Sequence, residues 1–161
     1  MAEKKVKPIP DGYHAVTPYL TLRNAAQAIE FYKKALGAEE LYRMAGPDGK
    51  VMHAEVRIGD SVIMLGDEDP QMGSTSPQTL GGTTAGLMVY CENVDQAFDR
   101  AVKAGAESLM PPTDMFCGDR YGRIADPFGH KWSLATHVKD VPPEEMAKAQ
   151  AEWMKKQAEQ K

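Results

Sequence analysis

Apolar residues recur at helical spacing twice along the chain, and alternating stretches flank them each time. In "NAAQAIEFYKKALGAEE" (24–40) they fall at Ala25, Ala28, Ile29, Tyr32 and Leu36. In "NVDQAFDRAVKAGAES" (93–108) they fall at Val94, Ala97, Phe98, Ala101 and Val102. Asn24 and Asn93 suit the N-cap, and Gly37 and Gly105 suit the left-handed position past a helix end. Each stretch predicts an amphipathic helix of about three turns. With one gap at Leu36 the two align, Asn, Gln-Ala, Lys-Ala and Gly-Ala-Glu recurring in the same order. The chain contains an internal repeat.

Alternation predicts strands around each helix. "AVTPYLTL" (15–22) precedes the first, and Pro18, which lacks a ladder donor, marks an edge or a bulge. "EELYRMA" (39–45), "VMHAEVRI" (51–58) and "SVIMLG" (61–66) follow, separated by the turns "GPDGK" and "GD". The second half repeats the order: "AGLMVYC" (85–91), the helix, "ESLMP" (107–111), "RYGRIA" (120–125), the turn "DPFGH" (126–130) and "KWSLAT" (131–136). Each half reads βαβββ. The boundaries are an N-terminal tail (1–13), a first module (14–66), a Gly-, Pro- and Ser-rich linker (67–83) and a second module (84–141). Residues 142–161 predict a C-terminal helix with acid in its first turn and lysine in its last. Its Met146, Ala149 and Trp153 form a stripe suited to docking on the body or on a partner subunit.

Composition changes little in this picture. The chain has 161 residues, 42% apolar and 26% charged, the range of an ordinary globular domain. A net charge of −4 offers no basic face for nucleic acid. No stretch approaches the roughly 20 apolar residues of a membrane span. Met1 to Pro10 carry three lysines with no apolar run after them, so no secretory signal is expected. Cys91 and Cys117 lie too far apart for a C-x-x-C motif. Free thiols in a reducing cytoplasm are expected.

Two βαβββ units in tandem, with "FYKKALGAEE" and "DPFGHKW" in corresponding places, resemble the vicinal oxygen chelate superfamily of glyoxalase I, bleomycin-resistance and extradiol-dioxygenase proteins. "PYLTLRNAAQAIEFYKKALGA", "VMHAEVRIGDSVIML", "GDRYGRIADPFGHKWSLATH" and the "PPEEM" tail look more narrowly like its PhnB-like subgroup. The resemblance spans about residues 14 to 146. It implies an α+β fold: two tandem βαβββ modules forming a curled mixed sheet around an open cleft, helices outside, with an extra C-terminal helix. It also implies a homodimer, since many relatives pair.

Successive strand residues point oppositely, so alternation assigns faces. Met52, Ala54, Val56 and Ile58 belong under the first helix, leaving His53, Glu55 and Arg57 on the cleft side. Thr17, Tyr19 and Thr21 share that side. In the second module Leu87, Val89 and Cys91, with Trp132, Leu134 and Ile124, are core. Gly86, Met88, Tyr90, Lys131, Ser133, Ala135, Asp119, Tyr121 and Arg123 then face the cleft. Enzymes of the superfamily hold a metal with one His or Glu from the first and last strand of each module. Carried over, those four slots are Thr17, Met64, Gly86 and Ser133. None is an ordinary ligand for zinc, nickel or iron. No cofactor is expected, and a divalent metal held elsewhere stays open.

His53 and Glu55, two apart on one face, are the catalytic candidates, as general base and partner carboxylate or as two ligands of a displaced metal. The structural alternative is a polar sheet face on which Arg57 screens Glu55. Arg123, Arg57 and Lys131 attract an anion, or else pair with Glu55 and Asp119. Asp119, pairing with Arg120 or Arg123, and Gly122 suggest a rigid loop that shapes the pocket. Tyr19, Tyr90, Tyr121, Met64 and Met88 give a lining suited to a flat organic ligand. His14 and His130 read as solvent-facing turn residues, His137 as a distant third metal ligand, and Cys117 as a thiol without a base. In "DPFGH", turn geometry accounts for Asp126, Pro127 and Gly129. The expected function is binding of a small organic molecule without the standard metal. The alternatives are a lyase, isomerase or dioxygenase-type enzyme using His53 and Glu55, and a structural or partner-binding module.

Overall fold

Both helices form where their caps place them. In the computed structural model, which describes residues 6–159, α1 (Ala25–Leu36) opens with the Asn24 side chain accepting from the Gln27 amide and closes at Gly37, φ 67°. Helix α3 (Val94–Ala104) opens in the same way at Asn93 and Gln96 and closes at Gly105, φ 118°. The last strand of each module caps that module's helix. Asp67 accepts from the Ala25 amide at 2.8 Å and from the Val51 amide at 2.7 Å. At the matching place Thr136 accepts from the Val94 amide at 2.8 Å and donates to the Cys91 carbonyl.

The first module comprises β1 (Tyr19–Leu22), α1, β2 (Glu39–Ala45), β3 (Val51–Ile58) and β4 (Ser61–Asp67), in spatial order β1-β4-β3-β2. The second comprises β5 (Gly86–Tyr90), α3, β6 (Glu107–Asp114), β7 (Asp119–Ala125) and β8 (Lys131–His137), in order β5-β8-β7-β6. In each sheet the first strand runs parallel to the last and the remaining pairs are antiparallel. The two four-stranded sheets remain separate. Between the modules lie a 3-10 turn (Pro70–Met72) and α2 (Pro77–Leu80); α4 (Pro143–Glu159) ends the described chain. No helix is long and apolar enough to cross a membrane.

Several sequence expectations need correction. Strand β1 starts at Tyr19, past Pro18, so Val16 lies outside it and is exposed. Met52 is 60% exposed while Val51 is buried, because β3 bulges opposite Met44 and Ala45 and so breaks the alternation. Val102 is exposed. The linker is tied down by Ser76, fully buried, whose amide donates to Glu68 at 2.9 Å. Outer strands β2 and β6 both carry register breaks, and β6 contains Pro111 and Pro112.

One core spans both modules. Tyr32 of α1 packs on Trp132 of β8 (centroids 5.3 Å apart) and on Phe128, while Phe31 also meets Phe128. Arg100 of α3 donates to the Ala35 carbonyl of α1 at 3.1 Å. At the centre of this junction is Asp126, not merely a turn former but a buried acceptor for four donors. Its Oδ2 receives the Tyr32 hydroxyl at 2.8 Å and Trp132 Nε1 at 2.9 Å. Its Oδ1 receives the Phe128 and His130 amides, each at 2.9 Å. Burial first, and the Asp126 charge next, push the Tyr32 phenol well above its ordinary pKa. His130 is not solvent-facing either: it is 8% exposed, with Nε2 3.0 Å from the Thr21 carbonyl.

Candidate functional site

Because the helix-covered sides of both sheets share this core, their other faces are left to solvent. Strand register defines each face. On the first sheet Tyr19 pairs with Met64, Met64 with Glu55 and Glu55 with Tyr42, one row across all four strands. Beside it run Thr21, Gly66, His53 and Met44. His53 Nε2 lies 3.2 Å from Glu55 Oε1, and the Tyr13 hydroxyl donates to Glu55 Oε2. The His53 ring is 5.8 Å from that of Tyr19 and 6.3 Å from that of Tyr42. The Tyr13 hydrogen bond first, and His53 after it, hold the Glu55 carboxyl below its usual pKa against the opposing effect of burial. Between the N-terminal segment and this face lies an open hollow of about 360 Å³ lined by Pro8, Ile9, Pro10, Tyr13, Glu55 and Met64 among others.

On the second sheet the matching row is Met88, Ser133, Arg123 and Met110. Tyr90, Ala135, Tyr121 and Thr113 form the next. The Tyr121 and Ser133 hydroxyls share a hydrogen bond of 2.7 Å, and Tyr90 donates to Asp119 at 2.9 Å. The charges pair otherwise than expected. Arg57 binds Glu39 rather than Glu55. Arg120 binds Asp95 and Asp114, and Asp119 binds His137. Arg123 and Lys131 are left without a carboxylate partner among the described residues. Gly122 serves packing, since a Cβ there would stand 3.0 Å from the Phe98 ring of α3.

The candidate residues thus fall into two groups. Tyr19, His53, Glu55 and Met64 lie together on the first sheet; Met88, Tyr90, Asp119, Tyr121 and Arg123 lie together on the second. No hydrogen bond among the described residues joins one group to the other. A further hollow of about 730 Å³ opens between β5 and the start of β1, lined by Val16, Pro18, Ile63, Leu87 and Val89 among others. Sequence reasoning missed Tyr13, Tyr42 and Met44. The alternation of "EELYRMA" could have found the latter two, but nothing local marks Tyr13.

The superfamily's metal does not fit the residues in its slots. Gly86 offers no side chain, the Ser133 hydroxyl is bound to Tyr121, and the Thr17 hydroxyl donates to the His14 carbonyl. Among the described residues no three His, Cys, Asp or Glu side chains converge as a metal would need. Cys91 and Cys117 are free and half-buried.

His137 does come close to carboxylates, at 2.9 Å from Asp140 and 2.7 Å from Asp119. Asp140 first, then Asp119, raise its pKa above the ordinary 6.5. A raised histidine contributes stability below 6.5 that is lost as pH climbs through its folded value. His137→Gln should therefore flatten the fall of the unfolding midpoint as pH rises above 6.5. An unchanged slope would show that the bridge does not act in solution.

Residues 14–134 match the family described as the Glyoxalase/Bleomycin resistance protein/Dioxygenase superfamily. An uncharacterized protein of Mycobacterium tuberculosis is 46% identical over 138 residues, 84% of this chain and 81% of its own. Among solved structures, TioX from Micromonospora sp. ML1 aligns with a TM-score of 0.62 at 25% identity, covering 78% of this chain and 99% of its own. A PhnB protein from Bacillus cereus shares the fold, with a TM-score of 0.59 at 20% identity over 76% of this chain and 99% of its own.

Proposed function

Since this chain belongs to the glyoxalase/bleomycin resistance/dioxygenase superfamily, we propose that it binds a small organic molecule, without the superfamily's metal, in a cleft completed by a second copy. The observation that carries this reading is the division of the aromatic and thioether lining between two sheet faces. Each face alone is half of a site: Tyr19, Tyr42 and Met64 around Glu55 on one, Tyr90, Tyr121 and Met88 around Arg123 on the other. Their charges are complementary, which favours the first face of one copy against the second face of another. Ligand pockets usually combine such an apolar lining with a few convergent polar groups. In this reading the Thr, Met, Gly and Ser in the metal slots leave enclosure of the ligand as the activity, in a cytoplasmic homodimer.

Light scattering of the purified chain should give the mass of two copies, and elemental analysis should find no transition metal in stoichiometric amount. A monomer at micromolar concentration, or one such ion per chain held by these residues, would overturn the reading. The Tyr13–Glu55–His53 network favours one alternative, acid–base chemistry at His53. That alternative requires His53→Ala to abolish turnover of some substrate while the fold is kept.

A further inference from the structure

The two halves of the internal repeat carry opposite charges at one structurally equivalent position. Glu55 is paired with Met64, and Met64 with Tyr19; Arg123 is paired with Ser133, and Ser133 with Met88. The outer neighbours correspond as well, Tyr42 beside Glu55 and Met110 beside Arg123. The shared capping pattern of Asp67 and Thr136, three residues past Met64 and Ser133, fixes this register independently. Glu55 is half-buried and accepts from the Tyr13 hydroxyl, whereas Arg123 is exposed and, with Lys131 near it on the same face, has no acidic partner among the described residues.

We infer that the cleft between two copies is bipolar and selects zwitterionic aromatic molecules, with a protonated amine toward Glu55 and a carboxylate or similar oxyanion toward Arg123. This rests on the two-copy reading above. Around Glu55, the Tyr19 and Tyr42 rings suit an organic cation, whose charge is drawn to aromatic faces. The Tyr13 hydroxyl already donates to Glu55, so it holds the place that an ammonium donor would take. On the other wall a guanidinium grips an oxyanion through two parallel hydrogen bonds. Tyr90, Tyr121 and Met88 supply the flat lining between.

The test is calorimetric titration of the full chain with benzene-, indole- and naphthalene-based compounds. Each series contains four matched forms: amine, carboxylate, amino acid and uncharged. Light scattering on the same samples reports the oligomeric state. The amino acid form should bind tightest in at least one series, by roughly ten- to a hundredfold over either singly charged form. Glu55→Gln should reduce it to the level of the carboxylate, and Arg123→Gln to that of the amine. A dimer with no preference for the amino acid form in any series overturns the inference while leaving the two-copy reading intact; a monomer overturns both. If Glu55 and Arg123 instead bind each other across the interface, both variants will weaken dimerisation without changing the order of ligands, and that too overturns the inference.

Discussion

Asp126→Ala should cost the protein about 3–5 kcal/mol, a loss measurable by urea unfolding and large beside the ~5–15 kcal/mol that holds an ordinary domain together. The carboxylate accepts from the Tyr32 hydroxyl, the Trp132 indole and two backbone amides. Alanine would leave Tyr32 and Trp132, both fully buried, without a partner, and each stranded donor costs about 1–3 kcal/mol. The effect should reach both modules, because Tyr32 comes from the first and Trp132 from the second. Asp126→Asn keeps an oxygen for only one of the two donor pairs and should lie between. If alanine lowers stability by less than about 1 kcal/mol, water or a local rearrangement satisfies these donors and the junction is looser than described.

Gly66→Ala should cost about 1–3 kcal/mol and at the same time disturb the first face. Gly66 pairs with Thr21 of β1, and an added Cβ would meet the Met52 carbonyl oxygen at 2.9 Å and the Tyr19 hydroxyl at 3.0 Å. The first contact is with backbone at the β3 bulge and cannot swing aside. The second would lift the Tyr19 ring away from His53, so the imidazole resonances of His53 should shift in NMR spectra of the variant. Combining it with Tyr19→Phe should recover part of the stability, because one of the two contacts disappears. A Gly66→Ala protein with wild-type stability and unmoved His53 signals would contradict this packing.

The secondary structure was legible because its signals are local. Asn24 and Asn93 with Gly37 and Gly105 bracket the helices, and Trp132 and Leu134 at alternate positions identify β8, while the pattern along β7 is weaker. Alternation failed at Met52, where a bulge put two residues opposite one, and a bulge leaves no mark in a hydrophobic pattern. The placement of His130 and the burial of Asp126 were also out of reach. "DPFGH" is sufficiently explained as a turn, and only a long-range contact from Tyr32, 94 residues away in the sequence, reveals its second role. The candidate site was legible face by face, since period-two alternation distinguishes sides of a sheet. It could not show that the two faces separate within one chain, because that depends on how α1 and α3 pack.

Leaving two sheet faces open also leaves strand edges open, and an unpaired edge invites uncontrolled addition of further chains. All four edges of this fold are blunted, by two different means. The outer strands β2 and β6 are long but broken in register, and the prolines of β6 remove donors from its ladder. The inner strands β1 and β5 are regular but only four and five residues long, β1 beginning directly after Pro18. Outer edges of this kind discourage any strand from adding, while inner edges this short offer too few bonds to recruit a stray segment by backbone pairing alone. Whatever meets these edges must therefore be recognised through side chains, because the backbone of the fold offers no long, regular edge for a further strand to extend.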